Sequence, residues 1–286
     1  MSEIYDIGYR HYEGPRLGRG YAARALAVHS LRGVFGLGRP ARSKIVPYSL
    51  VAIMFMPAIV DIALMALLQE RGIGYSGFAV VMQAVVAIFL AAQAPTVVAP
   101  DLRHRVLPLY LSRPISIIDY VGAKVAAMTI ALFALVALPI TAVYVGELLI
   151  DMPGPPATGE YLSSMAMALV LALLLSVYGL ALASFTPRRG LGVASVITVY
   201  LLSSAAVPII YGTLSFSGDK AAAAYAWLVN PFWLVDSVQH AVFGTPSHAI
   251  EDAAYPGGVA SIIALLVLLA VGLAALALRY RKAAAQ

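Results

Sequence analysis

Six long apolar runs divide the chain, and polar stretches holding most of its charges separate them. The runs fall at 47–68, 75–99, 121–146, 161–185, 191–212 and 258–278. A hydrocarbon layer about 30 Å thick takes roughly 20 helical residues to cross, and each run is about that long or longer. They lack strict apolar–polar alternation and are about twice the length of a barrel strand, which argues against a transmembrane barrel. The predicted fold class is an all-α integral membrane protein with six transmembrane helices. Residues 1–46 form a polar, arginine-bearing segment ahead of the 47–286 membrane domain. No short apolar core with a small-residue cleavage site lies in that segment, so no cleavable signal peptide is expected.

Between the runs, two segments carry helical patterns of their own. Tyr21, Ala25, Val28, Leu31 and Phe35 recur at helical spacing, with Arg24 and Arg32 inside the same arc. This predicts a helix over 20–36 lying at the cytoplasmic interface with its arginines reaching lipid phosphates, or else a soluble-facing helix packed on a partner. The loop over 213–257 is too long to be structureless in a compact fold. Its middle, 227–243, is rich in large apolar residues and predicts an interfacial or re-entrant helix. Asn230-Pro231 suits its first turn, and Gly244 with Pro246 ends it. No internal repeat is evident, which weighs against the inverted-repeat transporters.

Composition sharpens this picture. The chain is 61% hydrophobic and 12% charged, with a mean hydropathy of +0.87. A soluble domain is about half apolar and a quarter charged, so soluble and disordered classes are both excluded. Zero cysteines exclude disulfides, thiolate zinc, iron–sulfur ligation and a cysteine nucleophile. The net charge of +5 and pI near 9.4 could suggest nucleic acid, but the placement of the charges points to topology instead. With alternating spans, every lysine and arginine except Arg71 and Lys220 falls on one side. The other side holds Glu70, Glu147, Asp151, Glu160, Asp219, Asp236, Glu251 and Asp252. The positive-inside rule then puts both termini in the cytoplasm of a multi-pass cell-membrane protein, most simply a bacterial inner-membrane one, with no nucleic-acid partner.

Tyr48, Tyr75, Tyr120, Tyr144, Tyr161, Tyr211, Tyr255 and Tyr280 stand at predicted span ends, where an aromatic belt is expected. Tyr178 and Tyr200 lie inside spans and need a partner or a cavity. Asp61 is the acidic residue within the apolar runs, one turn after Pro57. A charge at mid-membrane costs about 2.5–3.5 kcal/mol on insertion scales. It either faces a substrate or ion path, or is a protonated or hydrogen-bonded carboxyl near the outer leaflet. Gln83 and Gln93 are weaker path candidates, and helix–helix contacts account for such residues as well. Asp236 with His240, and His248 with Glu251, have spacings a metal site can use, but solvated faces of a loop helix are the expectation, and no metal or cofactor is assigned. No phosphate-binding G-x-x-x-x-G-K-[ST] loop, G-x-S-x-G elbow or H-E-x-x-H pair occurs, so no catalytic residues are assigned.

The loop between the second and third spans carries the most distinctive pattern. Asp101, Arg103, Leu107, Leu109, Leu111, Ser112, Pro114, Tyr120, Gly122 and Lys124 form a charged start, a leucine-rich turn, a Leu-Ser-x-Pro corner and a Tyr-x-Gly-x-Lys entry. Here the chain resembles the permease subunits of ABC transporters, in particular the six-span type-2 exporters. The resemblance extends to the tight fourth–fifth turn and the long loop before the last span. Where that family often has a glycine within the short helix, this chain has Val106-Leu107-Pro108.

The resemblance implies a path-forming subunit that pairs with a second permease, the same or related, and with separate ATP-binding cassette subunits that hydrolyse ATP. The permease itself would then be no enzyme. Cargo of such exporters is a drug, an antimicrobial peptide or a lipid-like compound. Leu102, Val106 and Leu109 are expected on one face of a short coupling helix seated in the ATPase, with Asp101, Arg103, Arg105 and Arg113 beside them. Two other classes stay open. One is a secondary transporter using Asp61, and the other is a non-transporting scaffold or sensor component.

Overall fold

The structure is a computed structural model that describes residue 14 and residues 17–104, 106–112, 115–150, 152–186, 188–249 and 254–284. Among these residues every regular element is a helix. They run α1 (Arg19–Val34), α2 (Arg42–Leu68), α3 (Phe78–Val81), α4 (Gln83–Arg103), α5 (Leu107–Leu111), α6 (Ile117–Leu149) and α7 (Thr158–Phe185). Then follow α8 (Arg189–Phe216), α9 (Lys220–Ala224), a 3₁₀ turn (Tyr225–Val229), α10 (Pro231–Phe243) and α11 (Gly258–Ala284). Six of them, α2, α4, α6, α7, α8 and α11, are long and apolar enough to cross a membrane. All six predicted runs therefore lie on spanning helices. The second begins late: 75–77 is loop, and Met82 breaks α3 from α4.

The six spans are unequally buried. α4, α6 and α7 form the centre, and α7 also packs on α11 and α10. Small residues explain why. Ala123, Ala127, Ala131 and Ala137 recur along α6, Gly146 lies against Ile62, and Gly179 lies against Leu90. Without side chains at such positions the helix backbones approach closely, and packing rather than hydrophobicity holds helices together in lipid. α2, α8 and α11 lie at the periphery, and α8 buries only Gly192, Val196 and Val207. α6, at 33 residues, is about 50 Å long. It overshoots the apolar layer at both ends, so it can carry Asp119 and Lys124 at one end and Glu147 at the other.

The amino-terminal helix packs through one part of its apolar arc, Leu31 and Phe35, and leaves the other exposed. α1 buries Leu26, Ser30 and Val34 against α6 and α4, while Tyr21 and Val28 are exposed. Ser30 is small enough to let the two helices close, whereas Tyr21 would hold them apart. Phe35 turns inward beside Phe89 at a ring separation of 6.1 Å.

The segment between α8 and α11 folds back into the bundle, as the re-entrant alternative describes. Asn230 caps α10 by accepting from the Phe232 amide at 2.9 Å, and its own amide donates to Ser204 Oγ at 3.0 Å. Ser204 lies about 18 Å along α8 from Phe216, so α10 starts deep and climbs outward to Gly244. Gly244 closes it in the left-handed conformation, at φ 66°, as a C-terminal glycine commonly does.

Candidate functional site

Two places gather the residues singled out above. The first is the connection between α4 and α6, at the end of the bundle that carries α1 and the last turns of α11. Asp101, Leu102 and Arg103 do not belong to a separate short helix; they close α4. The helix stops at His104 and restarts at Leu107, with Val106 as the cap of α5. Pro108 is the physical reason: proline lacks the N–H an interior helical position needs and suits only a first turn. Leu102, Val106 and Leu109 therefore share no single helical face. Leu107 is the residue of α5 that packs inward, 2% exposed, whereas Leu109 projects outward, 69% exposed. Arg103 is exposed as well. Arg105 and Arg113 lie outside the described residues.

Asp101 turns inward. Lys124 Nζ sits 2.9 Å from its carboxylate and donates to the Val97 carbonyl, also at 2.9 Å. Tyr120 donates to the same carboxylate oxygen at 2.5 Å. Tyr110 and Tyr280 flank Tyr120 with ring separations of 5.5 and 5.4 Å. The acidic start and the lysine entry of the motif are thus two halves of one buried pair bridging α4 and α6. A buried charge is tolerated when paired and hydrogen-bonded, and both conditions are met here. Next to this anchor, Ser116 and Asp119 form a capping box that starts α6, and Arg19 of α1 donates to both side chains.

The second place is a cavity of about 140 Å³ between α4, α7, α8, α10 and α11. Tyr178 and Tyr200 both line it, joined by Leu90, Ser203, Phe232 and Leu268 among others. The Tyr178 hydroxyl donates to the Leu268 carbonyl at 3.0 Å, and the Tyr200 ring meets Phe232 edge-on at 6.2 Å. The wall is apolar apart from the two tyrosines and Ser203. Such a volume resembles an engineered cavity of about 150 Å³ that stays dry and binds benzene.

Asp61, Gln83 and Gln93 do not reach this cavity. Asp61 is buried in α2 and accepts from the Gly72 and Ile73 amides at 2.7 and 3.0 Å, so the hydrogen-bonded alternative describes it. Gln83 sits 3.4 Å from the Asn230 amide, and Gln93 is buried inside α4.

The bundle end opposite α5 holds residues the sequence pattern did not mark as a group. The loop 69–77 is held by carboxylates from three spans. Besides Asp61, Glu147 of α6 accepts from Arg71, Tyr75 and the Ala157 amide, and Glu160 of α7 accepts from the Ser76 amide and hydroxyl. A side chain at Gly74 would lie 2.9 Å from a Glu160 oxygen, so glycine permits that approach. The dense glycines after Arg71 were the available signal. Tyr75, Tyr144 and Tyr161 cluster beside Glu147, and Tyr75 and Tyr120 are buried. These expected belt tyrosines face inward because carboxylates inside the bundle take their hydroxyls. Of the pairs with metal-like spacing, the structure instead brings Asp236 to His248, 3.0 Å apart, with Tyr255 donating to the same carboxylate. His240 turns to the Thr245 carbonyl, and Glu251 lies outside the described residues. No known protein family and no curated protein matches the chain.

Proposed function

We propose that the chain is the membrane subunit of an ATP-driven exporter of the ABC type, working with separate ATPase subunits and a second permease. The observation that carries this reading is α5 itself: a short helix outside the spans, with Leu109 exposed, mounted on the buried Asp101–Lys124 pair that ties α4 to α6. An exposed apolar knob on a rigid mount is what a force-bearing contact requires. Arg103 beside it, and Tyr21, Arg24, Val28 and Arg32 on the outward face of α1, offer apolar and basic groups to an acidic-rimmed groove. Charges of this kind set partner choice more than affinity.

In this reading, ATP-driven closure of the ATPases pushes α5, and α4 and α6 move with it because Lys124 and Tyr120 hold Asp101. The Tyr178–Tyr200 cavity adjoins α4 and supports an apolar, drug- or lipid-like cargo. The termini are cytoplasmic, in a bacterial inner membrane, and the re-entrant α10 faces outward. A secondary transporter built on Asp61 is disfavoured because loop amides already occupy that carboxylate.

The test is purification of the tagged chain from its native membranes in mild detergent. An ATP-binding cassette subunit should co-purify and hydrolyse ATP, the isolated chain should not, and Leu109→Ala or Arg103→Glu should weaken the association. Hydrolysis by the isolated chain, or recovery of no such partner, would overturn the proposal. Orientation has its own check, since the chain has no cysteine background. Cysteine placed at Ser217 should react with an impermeant thiol reagent in intact cells, and cysteine placed at Ser112 should not.

A further inference from the structure

The Tyr178–Tyr200 cavity lies beside a gap in the helix packing. α8 and α11 both pack on α7, but among the described residues they make almost no contact with each other. Leu174 and Tyr178 of α7 lie between them, Ala87 and Leu90 of α4 stand behind, and Ser203 of α8 and Leu268 of α11 flank the opening. Ala87, Leu90 and Leu174 are buried, whereas Val199 and Val229, which line the same cavity, are about half exposed. The cavity therefore runs from an outward-facing rim into the middle of the bundle. Its depth is set by the helices that bound it. Ser203 lies about 20 Å from either end of α8, and Leu268 about 15 Å into α11, at 1.5 Å per residue. With an apolar layer about 30 Å thick, both stand near its centre.

The chemistry at that depth is uniform. Headgroups and water lie at the surfaces, and only the ends of acyl chains reach the centre. Two of the three hydroxyls of the wall are already taken by backbone carbonyls. Tyr178 donates to Leu268 at 3.0 Å, and Ser203 donates to Tyr200 at 2.9 Å. What remains is an apolar surface around about 140 Å³, room for a group about the size of benzene and too little for a whole lipid. We propose that this cavity seats the end of a membrane-lipid acyl chain, which enters sideways between α8 and α11. The headgroup stays outside, so the seat selects hydrocarbon and not headgroup. Contact rather than water release holds the chain end, because an unfilled void leaves its lining without partner atoms. The chain end also supplies the contact that α8 and α11 do not make with each other. This narrows the apolar ligand of the cavity to an acyl chain. It requires only that the six spans lie in a bilayer, so it stands or falls separately from association with an ATPase.

The experiment uses the full chain in nanodiscs of phosphatidylcholine that carries a photoactivatable diazirine, either near the end of one acyl chain or next to the glycerol. Adducts are mapped by peptide mass spectrometry. Bulk lipid reaches the exposed Leu201 and Leu202 of α8 but not the buried Ala87, Leu90 and Leu174. The chain-end probe should mark these buried residues, and the glycerol-level probe should not. Ser203→Phe, which fills the entrance, should abolish the buried adducts and keep those on Leu201 and Leu202. Val199→Phe at the rim gives the same reading should the first variant fail to insert. Leu202→Phe, on the outward side of α8, should leave the buried adducts in place. No buried adduct from the chain-end probe, equal marking by both probes, or buried adducts that persist in both entrance variants would overturn the seat.

Discussion

The two ends of the bundle handle charge in opposite ways. At the end that carries α1 and α5, one buried pair, Asp101–Lys124, is flanked by exposed cations on α1 and by Arg103 at the end of α4, and Leu109 projects outward. At the other end the acidic residues Asp61, Glu147, Glu160 and Asp236 all turn inward onto loop amides, tyrosines, Arg71 or His248. The first end keeps charge available for something outside the chain. The second uses four carboxylates in closing itself, while Glu70 and Lys220 stay exposed. Net charge by side hides this difference: those four acids are structural, whereas Arg24, Arg32 and Arg103 at the first end stay exposed.

The sharpest break of this comparison comes at its one shared element, the buried ion. Lys124→Met should leave Asp101 without its cation in a nearly closed site, and removing one partner of a buried pair costs about 3–5 kcal/mol. Thermal unfolding in detergent should show the largest loss of any change considered. Glu147→Gln, at the opposite end, should cost less, about 1.5–3 kcal/mol for a charged hydrogen bond, because Arg71 is 38% exposed and can turn to water. Its signature should be local, as faster hydrogen exchange across 69–77 with the spans still protected. Equal losses at the two sites, or a global effect from Glu147→Gln, would erase the distinction between a span-to-span anchor and the fastening of one loop.

Much of the fold was legible before any coordinates. Six spans, the outer helix and its Asn230 and Gly244 boundaries follow from apolar run length and from the chemistry of proline and glycine. What was not legible is direction. Periodicity marked an apolar arc through Tyr21 and Val28 of α1 but not that Leu26, Ser30 and Val34 would be its buried residues, since spacing along one helix does not tell which face its neighbours in the bundle take. Belt logic put Tyr75 and Tyr120 at the lipid boundary, and no one-dimensional rule shows that a carboxylate 72 or 19 residues away will take the hydroxyl. The motif from Asp101 to Lys124 was visible as a pattern, but its split into an internal pair and an external knob needed the break at His104–Val106.

Smaller effects refine the contrast. Leu109→Ala should change the stability of the isolated chain by no more than about 0.5 kcal/mol, as surface substitutions do, while loosening association with an ATPase. A clear fall in melting temperature would mean that α5 is part of the core. Arg19→Gln should be smaller still. It should leave the melting curve in place and only speed exchange along α1, since the Asp119 carboxylate keeps its Ser116 partners.

The two tryptophans of the chain stand together at the foot of the re-entrant segment, Trp227 against Trp233 at 4.9 Å and Trp227 edge-on to Tyr255 at 6.1 Å. Both are almost wholly enclosed. Indole fluorescence from this protein therefore comes from that one spot, with no background from the rest of the chain. The native sequence carries its own optical reporter where the 3₁₀ turn, α10 and Tyr255 meet, and a rearrangement there would be seen as a change in emission before any label is attached.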